Sequence, residues 1–323
     1  MKLPGRPTPE LCLRVRREAS GDQPGALPAP QCRRIPALGS TPMIGWPVGV
    51  MRVGVLAAAL AVQCAGLCAD AVAQEPHAQR AACGGDVLAQ GSARRVVDGR
   101  TFVLDDGRAV RLAAIEVPAL PDRSALAPGG AAAKDALAAF LAGGDVILRR
   151  ADMASDRYGR LFAYAATLRG GLEQEAQAEL LASGFARVAA RVGDPGCAAE
   201  LLRRESAARA AHLGLWANSY YDVLAADNPA DVLAQRGRFA LVEGKVVSVR
   251  ESGATIYVNF GRRWTEDFTV AILKRNARKF AAVGLEPQSL AGRRVRVRGW
   301  IERRGGPWIE AANPEQIELI ESE

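Results

Sequence analysis

From about residue 91 the chain alternates apolar and polar positions in short runs that read as strands. Ala93–Val97 and Thr101–Leu104 are followed by an Asp105-Asp106-Gly107-Arg108 turn and by Ala109–Ile115. An alanine-rich helical period then covers Ala131–Leu141 and stops at Gly143-Gly144. Val146–Arg149 and Leu161–Leu168 resume the strand pattern. Further helices are predicted over about Leu172–Ser183, closed by Gly184, and from Pro195, with Asp194 as N-cap, to His212 and Gly214. Strands first and interleaved helices after them predict a mainly β unit over 91–217: a five-stranded barrel decorated by three helices.

A polar connector, 218–236, leads into a second pattern that is almost purely β. Phe239–Val249, Thr255–Phe260, Phe268–Ile272, Arg293–Ile301 and Trp308–Ile309 alternate apolar and polar residues, with a helix predicted over Lys274–Val283. Five strands with a helix after the third predict a second small OB-like barrel over 237–321. The Gly244-Lys245-Val246 and Arg294–Gly299 strands resemble those of nucleic-acid-binding OB modules, at the level of pattern alone.

The beginning of the chain reads differently. Residues 1–50 are rich in Pro, Gly and Arg without a sustained period, as expected of a disordered extension or of an early start codon. Met51 and Arg52 open an apolar stretch, Val53 to Leu67, that ends in Ala71-Val72-Ala73. That run is short for a membrane span and suits a signal peptide, 51–73, cut before Gln74. A periplasmic or secreted protein is expected, with no stable membrane insertion after processing and an N-terminal arm at 74–90.

Export changes the meaning of the cysteines and of the charge. Of the six cysteines, Cys83 and Cys197 lie after the cut, and in an oxidising compartment they are expected to pair. Two unpaired thiols, one buried and one on the arm, are the alternative. With His77 and His212 they make a poor zinc set. Removing residues 1–73 takes away 8 basic and 4 acidic residues and lowers the net charge from +7 to +3. A mildly basic chain permits a polyanion partner without requiring one.

Val97-Asp98-Gly99-Arg100-Thr101-Phe102-Val103-Leu104, then Val110-Arg111-Leu112-Ala113-Ala114-Ile115-Glu116-Val117-Pro118-Ala119, then Asp156-Arg157-Tyr158-Gly159-Arg160 together resemble the staphylococcal-nuclease (thermonuclease) family. The likeness covers 91–217 and ends in Gly214-Leu215-Trp216. It implies an OB-type barrel in which Arg111 and Arg160 grip a phosphodiester as the catalytic arginines. A guanidinium suits that task because it donates in a planar fork and keeps its charge.

The departures from the family are equally specific. The metal-binding carboxylate expected after Asp98-Gly99 is replaced by Arg100, and the general base expected after Pro118 is replaced by Ala119. Glu116 keeps the second carboxylate position, so Asp98 and Glu116 remain as candidate metal ligands. Calcium wants several hard oxygens, and a guanidinium beside its site repels it. Losing a positioned base removes about a hundred- to ten-thousand-fold in rate. Asp122 lies near in sequence but reads as a solvated loop carboxylate. Two tyrosines that wall the family's nucleotide pocket map to Ala190 and Val192. Arg100 is expected to pair with Glu116, with Asp98 supporting the turn, so that Arg100, Arg111 and Arg160 form a metal-free anion pocket.

The basic clusters Lys274–Lys279 and Arg293–Arg298, with Tyr257, Phe260, Trp264 and Trp300, allow a single-stranded nucleic-acid groove on the second unit. Aromatics filling a core and arginines solvating a sheet face is the preferred reading. Three functions are therefore open. The first is an exported protein binding single-stranded nucleic acid or another phosphate anion without efficient cleavage and without a cofactor. The second is an active secreted endonuclease using calcium. The third is a non-catalytic scaffold of the envelope.

Overall fold

The computed structural model describes residues 83–120 and 128–320. The expected signal peptide, the first four cysteines, His77 and Asp122 lie outside those residues. No described helix is long and apolar enough to cross a membrane.

The first unit is built on β1 (Val87–Asp98), β2 (Thr101–Leu104), β3 (Ala109–Leu112), β4 (Ile115–Glu116), α1 (Gly130–Leu141), β5 (Asp145–Ser155), β6 (Leu161–Arg169), β7 (Leu172–Glu175), α2 (Ala176–Ala182), β8 (Arg187–Val188) and α3 (Pro195–Ala210). The sheet order is β3-β2-β1-β5-β6-β7, and β3 also pairs with β6 in parallel. That last pairing closes β1, β2, β3, β6 and β5 into the expected five-stranded barrel. Phe102, Leu104, Val110, Leu112, Val146 and Leu148 fill it, and Leu137, Leu181 and Leu201 of the three helices pack against them.

Three elements differ from the sequence reading. β1 begins at Val87, because Val87–Ser92 pairs with β5 before the strand turns to pair with β2. The second helix starts at Ala176, since Leu172–Glu175 forms β7 against β6. Both residues of the Gly170-Gly171 turn have positive φ, the conformation that a tight two-residue hairpin requires. The run Ala109–Ile115 is not one strand. It breaks at Ala113-Ala114, where Ala114 has φ 63°, and β4 leaves the barrel to pair with β8.

The second unit contains β9 (Leu224–Ala225), α4 (Pro229–Ala234), β10 (Phe239–Lys245), β11 (Ser248–Ser252), β12 (Thr255–Asn259), β13 (Thr269–Leu273), α5 (Ala277–Ala281), β14 (Arg294–Trp300), β15 (Glu302–Arg304), β16 (Gly306–Glu310) and β17 (Ile317–Ile320). The pairings divide these strands between a sheet β17-β14-β10-β9 and a sheet β11-β12-β13-β16-β15. The long strand expected at Phe239–Val249 is broken at Val246-Val247, and the pairings of the second unit give two sheets. The connector is also more ordered than its polar sequence suggested, with β9 adding to β10 and Asn228 capping α4.

A third apolar cluster joins the units: Ala208, Leu215 and Trp216 with Tyr221, Phe239 and Leu241. The Cys83–Cys197 disulfide is formed, and both residues are fully buried.

Candidate functional site

The candidate site is assembled from a turn, a barrel strand, a strand that leaves the barrel, and a second turn. The two-residue turn between β1 and β2 holds Gly99 and Arg100. Asp98 Oδ1 accepts the Arg100 N–H at 2.9 Å, and the Leu112 N–H donates to the Arg100 carbonyl at 2.8 Å. A Cβ on Gly99 would lie 2.5 Å from Val117 and 2.7 Å from Ala133, so only glycine lets this turn close against α1. Asp98 Oδ1 therefore serves the turn's backbone.

The turn aims Arg100 at β4. Its Nη1 donates to Glu116 Oε2 at 2.6 Å and to the Ile115 carbonyl at 3.4 Å. Both side chains are about four-fifths buried, at 19% and 20% exposure. The expected Arg100–Glu116 pair is present.

Arg111 stands opposite Thr101 in the β2–β3 register and opposite Phe162 in β6. It is half-buried, and no ion pair or side-chain hydrogen bond holds it among the described residues. Burial, then the positive fields of Arg100 and Arg160, lower its pKa below the ordinary arginine value, while Glu116 and Asp98 act the other way. The guanidinium is thus close enough to all four groups to feel them.

Arg160 comes from the turn between β5 and β6. Asp156 organises it: Oδ1 accepts the Tyr158 and Arg160 amides at 2.9 and 3.1 Å, while Oδ2 meets the Arg160 guanidinium at 2.6 Å. Gly159 has φ 75°, which the turn needs to bring Arg160 back over its own cap. Burial would raise the Asp156 pKa, but the bonds from Arg160 and from the Tyr158 amide outweigh it and hold the carboxyl below its ordinary value. Tyr158, 67% exposed, lies beneath the guanidinium groups of Arg157 and Arg160.

Ala119 is exposed, and the position contributes no acid or base. Ala190 and Val192 lie in the strip 187–193, which begins with β4's partner strand β8. Val192 is buried, and its carbonyl accepts from Tyr164 Oη at 3.0 Å. Neither offers a surface on which a base can stack.

Several supporting residues were not legible as such. Gln177, fully buried in α2, donates to the carbonyls of Ala113 and Ala163 and accepts the Ala165 amide, holding the kink from which β4 departs. In sequence it sits among Glu175, Ala176, Ala178 and Glu179, a run in which nothing singles it out. In the second unit, Arg294 and Arg296 both pair with Glu243, Arg298 is buried in an ion network, and Phe260 is in the core. Trp264 and Trp300 are exposed.

A closed five-stranded barrel with three helices fits an SNase/OB-like fold. Residues 109–218 match the family model of staphylococcal nuclease homologues, so the chain carries an SNase-like domain there. The matched segment includes Arg111, Glu116 and Arg160, whereas Asp98 and Arg100 precede it. A search of curated proteins finds no match to the chain.

Proposed function

We propose that the SNase-like domain binds a phosphodiester of single-stranded nucleic acid, or a similar anion, through Arg111 with Arg100 and Arg160, and does not cleave it efficiently. The observation that carries this reading is the half-buried Arg111, which contacts no carboxylate among the described residues and lies within the fields of two other arginines. Arg100 and Arg160 each contact one carboxylate, Glu116 and Asp156, whereas Asp98 accepts the turn amide and acts on Arg111 only through its field. A guanidinium whose donors are not taken up by a carboxylate suits a phosphodiester, which would draw on it for charge-assisted hydrogen bonds.

The family's calcium does not fit these residues. Glu116 is engaged by a guanidinium at 2.6 Å where a cation would need oxygen ligands, and Asp98 Oδ1 is held by the turn amide. With Ala119 in place of a carboxylate, no side chain at that position activates water. Export to the periplasm or beyond belongs to the same reading, supported by the leader-like pattern at 51–73 and by the buried disulfide.

The test is incubation of the full chain with single-stranded DNA and RNA, in calcium and in chelator, beside the Arg100→Asp, Ala119→Glu double variant. Retention of intact oligonucleotide by the wild type is expected. Calcium-dependent cutting by the wild type would overturn the reading in favour of an active nuclease. Neither binding nor cutting would leave the scaffold reading.

A further inference from the structure

The strip Arg187–Gly193 belongs in sequence to the SNase-like domain, yet it is held from the second unit. Arg187 Nη1 donates to the Phe239 carbonyl at 2.6 Å, with its guanidinium over the rings of Phe239 and Tyr221. Arg298 Nη1 donates to the Val188 carbonyl at 3.2 Å and to Glu205 Oε2 at 2.6 Å. The same Glu205 oxygen accepts the Val188 amide at 2.6 Å. Asn313 Nδ2 donates to the Ala190 carbonyl at 3.0 Å. Glu315 Oε1 accepts the amides of Val192 and Gly193 at 2.6 and 3.2 Å.

This strip begins with β8, and β8 is the strand to which β4 pairs: Ile115 opposite Val188, Glu116 opposite Arg187. The Ala189 amide donates to the Ala114 carbonyl at 2.8 Å, extending the contact to the kink. A two-residue pairing does not fix itself. Its position comes from what lies behind it, and behind it stands Arg298, 1% exposed, clamped between Glu205 of α3 and Glu318 of β17. Burial alone would lower the Arg298 pKa, but the two carboxylates outweigh it and keep the guanidinium charged.

We propose that the C-terminal unit is the positioning element of the arginine site, acting from Arg298, Asn313 and Glu315 through the strip 187–193 to β4, Glu116 and Arg100. Arg298 is a positioning residue: it reaches no candidate ligand atom, and it acts through the strand that carries Glu116. The functional consequence rests on the anion-binding reading; the mechanical one does not. The tyrosine wall of the family is thereby replaced by a strip turned toward a second unit. The SNase-like domain without that unit would lose the Arg298 contact of Glu205 and keep only the longer one from Arg209 at 3.2 Å.

The experiment is hydrogen exchange with oligonucleotide binding on the full chain, comparing wild type with Arg298→Lys, which keeps the charge but loses the fork. The amides of Val188 and Ala189 are expected to exchange at least tenfold faster. The Ala113 amide, which bonds to Ala163 inside the barrel, is expected to keep its wild-type rate. Affinity for a short single-stranded oligodeoxynucleotide is expected to fall about tenfold, within the usual range for coupled sites. Should the lysine variant fail to fold, Glu315→Ala makes the same comparison at Val192. A folded variant with unchanged exchange in the strip overturns the proposal. So does a loosened strip with unchanged affinity. If the wild type binds no oligonucleotide, the anion reading fails, and the exchange comparison still decides whether the second unit holds the strip.

Discussion

Arg100 Nη1 and Glu116 Oε2 lie 2.6 Å apart, joining the β1–β2 turn to a two-residue strand outside the barrel sheet. Each half of this pair alone would be awkward. A mostly buried Glu116 wants a cation, and a mostly buried Arg100 wants an anion. Together they supply within the chain the charge that a metal ion would otherwise bring.

Removing the built-in cation should therefore create a demand for an external one. In Arg100→Asp, Ala119→Glu, calcium is expected to raise the melting temperature relative to chelator, and the wild type is expected not to respond. In chelator the double variant should melt below the wild type, because two carboxylates then face one another. Thermal melts in calcium and in chelator decide this. Equal responses of the two proteins would show that Arg100 does not occupy a cation's place.

The disulfide yields a second expectation. Cys83 and Cys197 are 114 residues apart in sequence, so their bond restricts a long loop of the unfolded chain. Loops of that length correspond to about 4–5 kcal/mol in the chain-entropy account, with measured losses of about 2–5 kcal/mol when small secreted domains lose a native bridge. The Cys83→Ser, Cys197→Ser variant is expected to unfold at clearly lower urea concentration with an unchanged arrangement of Arg100, Arg111 and Arg160. A midpoint equal to that of the oxidised wild type would show that the bond adds nothing.

The barrel was legible because its strands are bounded by strong local signals: Asp98-Gly99, Asp105-Asp106-Gly107 and Gly143-Gly144 each end an element. The Arg100–Glu116 pair was legible as a charge swap at two motif positions. The break in Ala109–Ile115 was not. Ala113 and Ala114 have no preference for a kink, and the bend is supported by Gln177, 64 residues beyond Ala113, which donates to the Ala113 carbonyl. Arg298 was misleading for the same reason. In sequence it is one of several alternating arginines, and only its distance of 93 residues from Glu205 along the chain separates a buried clamp from a solvated strand face.

Near the disulfide, Glu175 gives a pH dependence with a definite sign. Burial raises its pKa, against the opposing bond from the Cys83 amide at 2.7 Å. A carboxyl whose folded pKa exceeds its unfolded value of 4.5 contributes stability that is complete below 4.5 and is lost as the pH rises through the folded value. Glutamine can still accept the Cys83 amide and has no charge to bury. Glu175→Gln is expected to match the wild type in acid and exceed it near neutral pH, as read by urea unfolding across that range. A constant difference between the two proteins at every pH would rule this out.

Arg111 and Arg160 should separate function from stability in opposite ways. The Arg111 charge is disfavoured in the free protein by burial and by its two arginine neighbours, so Arg111→Gln relieves a strain. That variant is expected to melt at or above the wild-type temperature, a common cost structure at binding sites. Its affinity for a short oligonucleotide should fall by about ten- to a hundredfold, corresponding to the loss of hydrogen bonds to a charged group. Arg160→Gln gives up the ion pair with Asp156 Oδ2 and should lose both affinity and melting temperature. Titration and thermal melts of the two variants make the comparison. If Arg111→Gln melted well below the wild type and still bound oligonucleotide normally, Arg111 would be a structural residue of the β2–β3–β6 seam and the anion site would have to lie elsewhere.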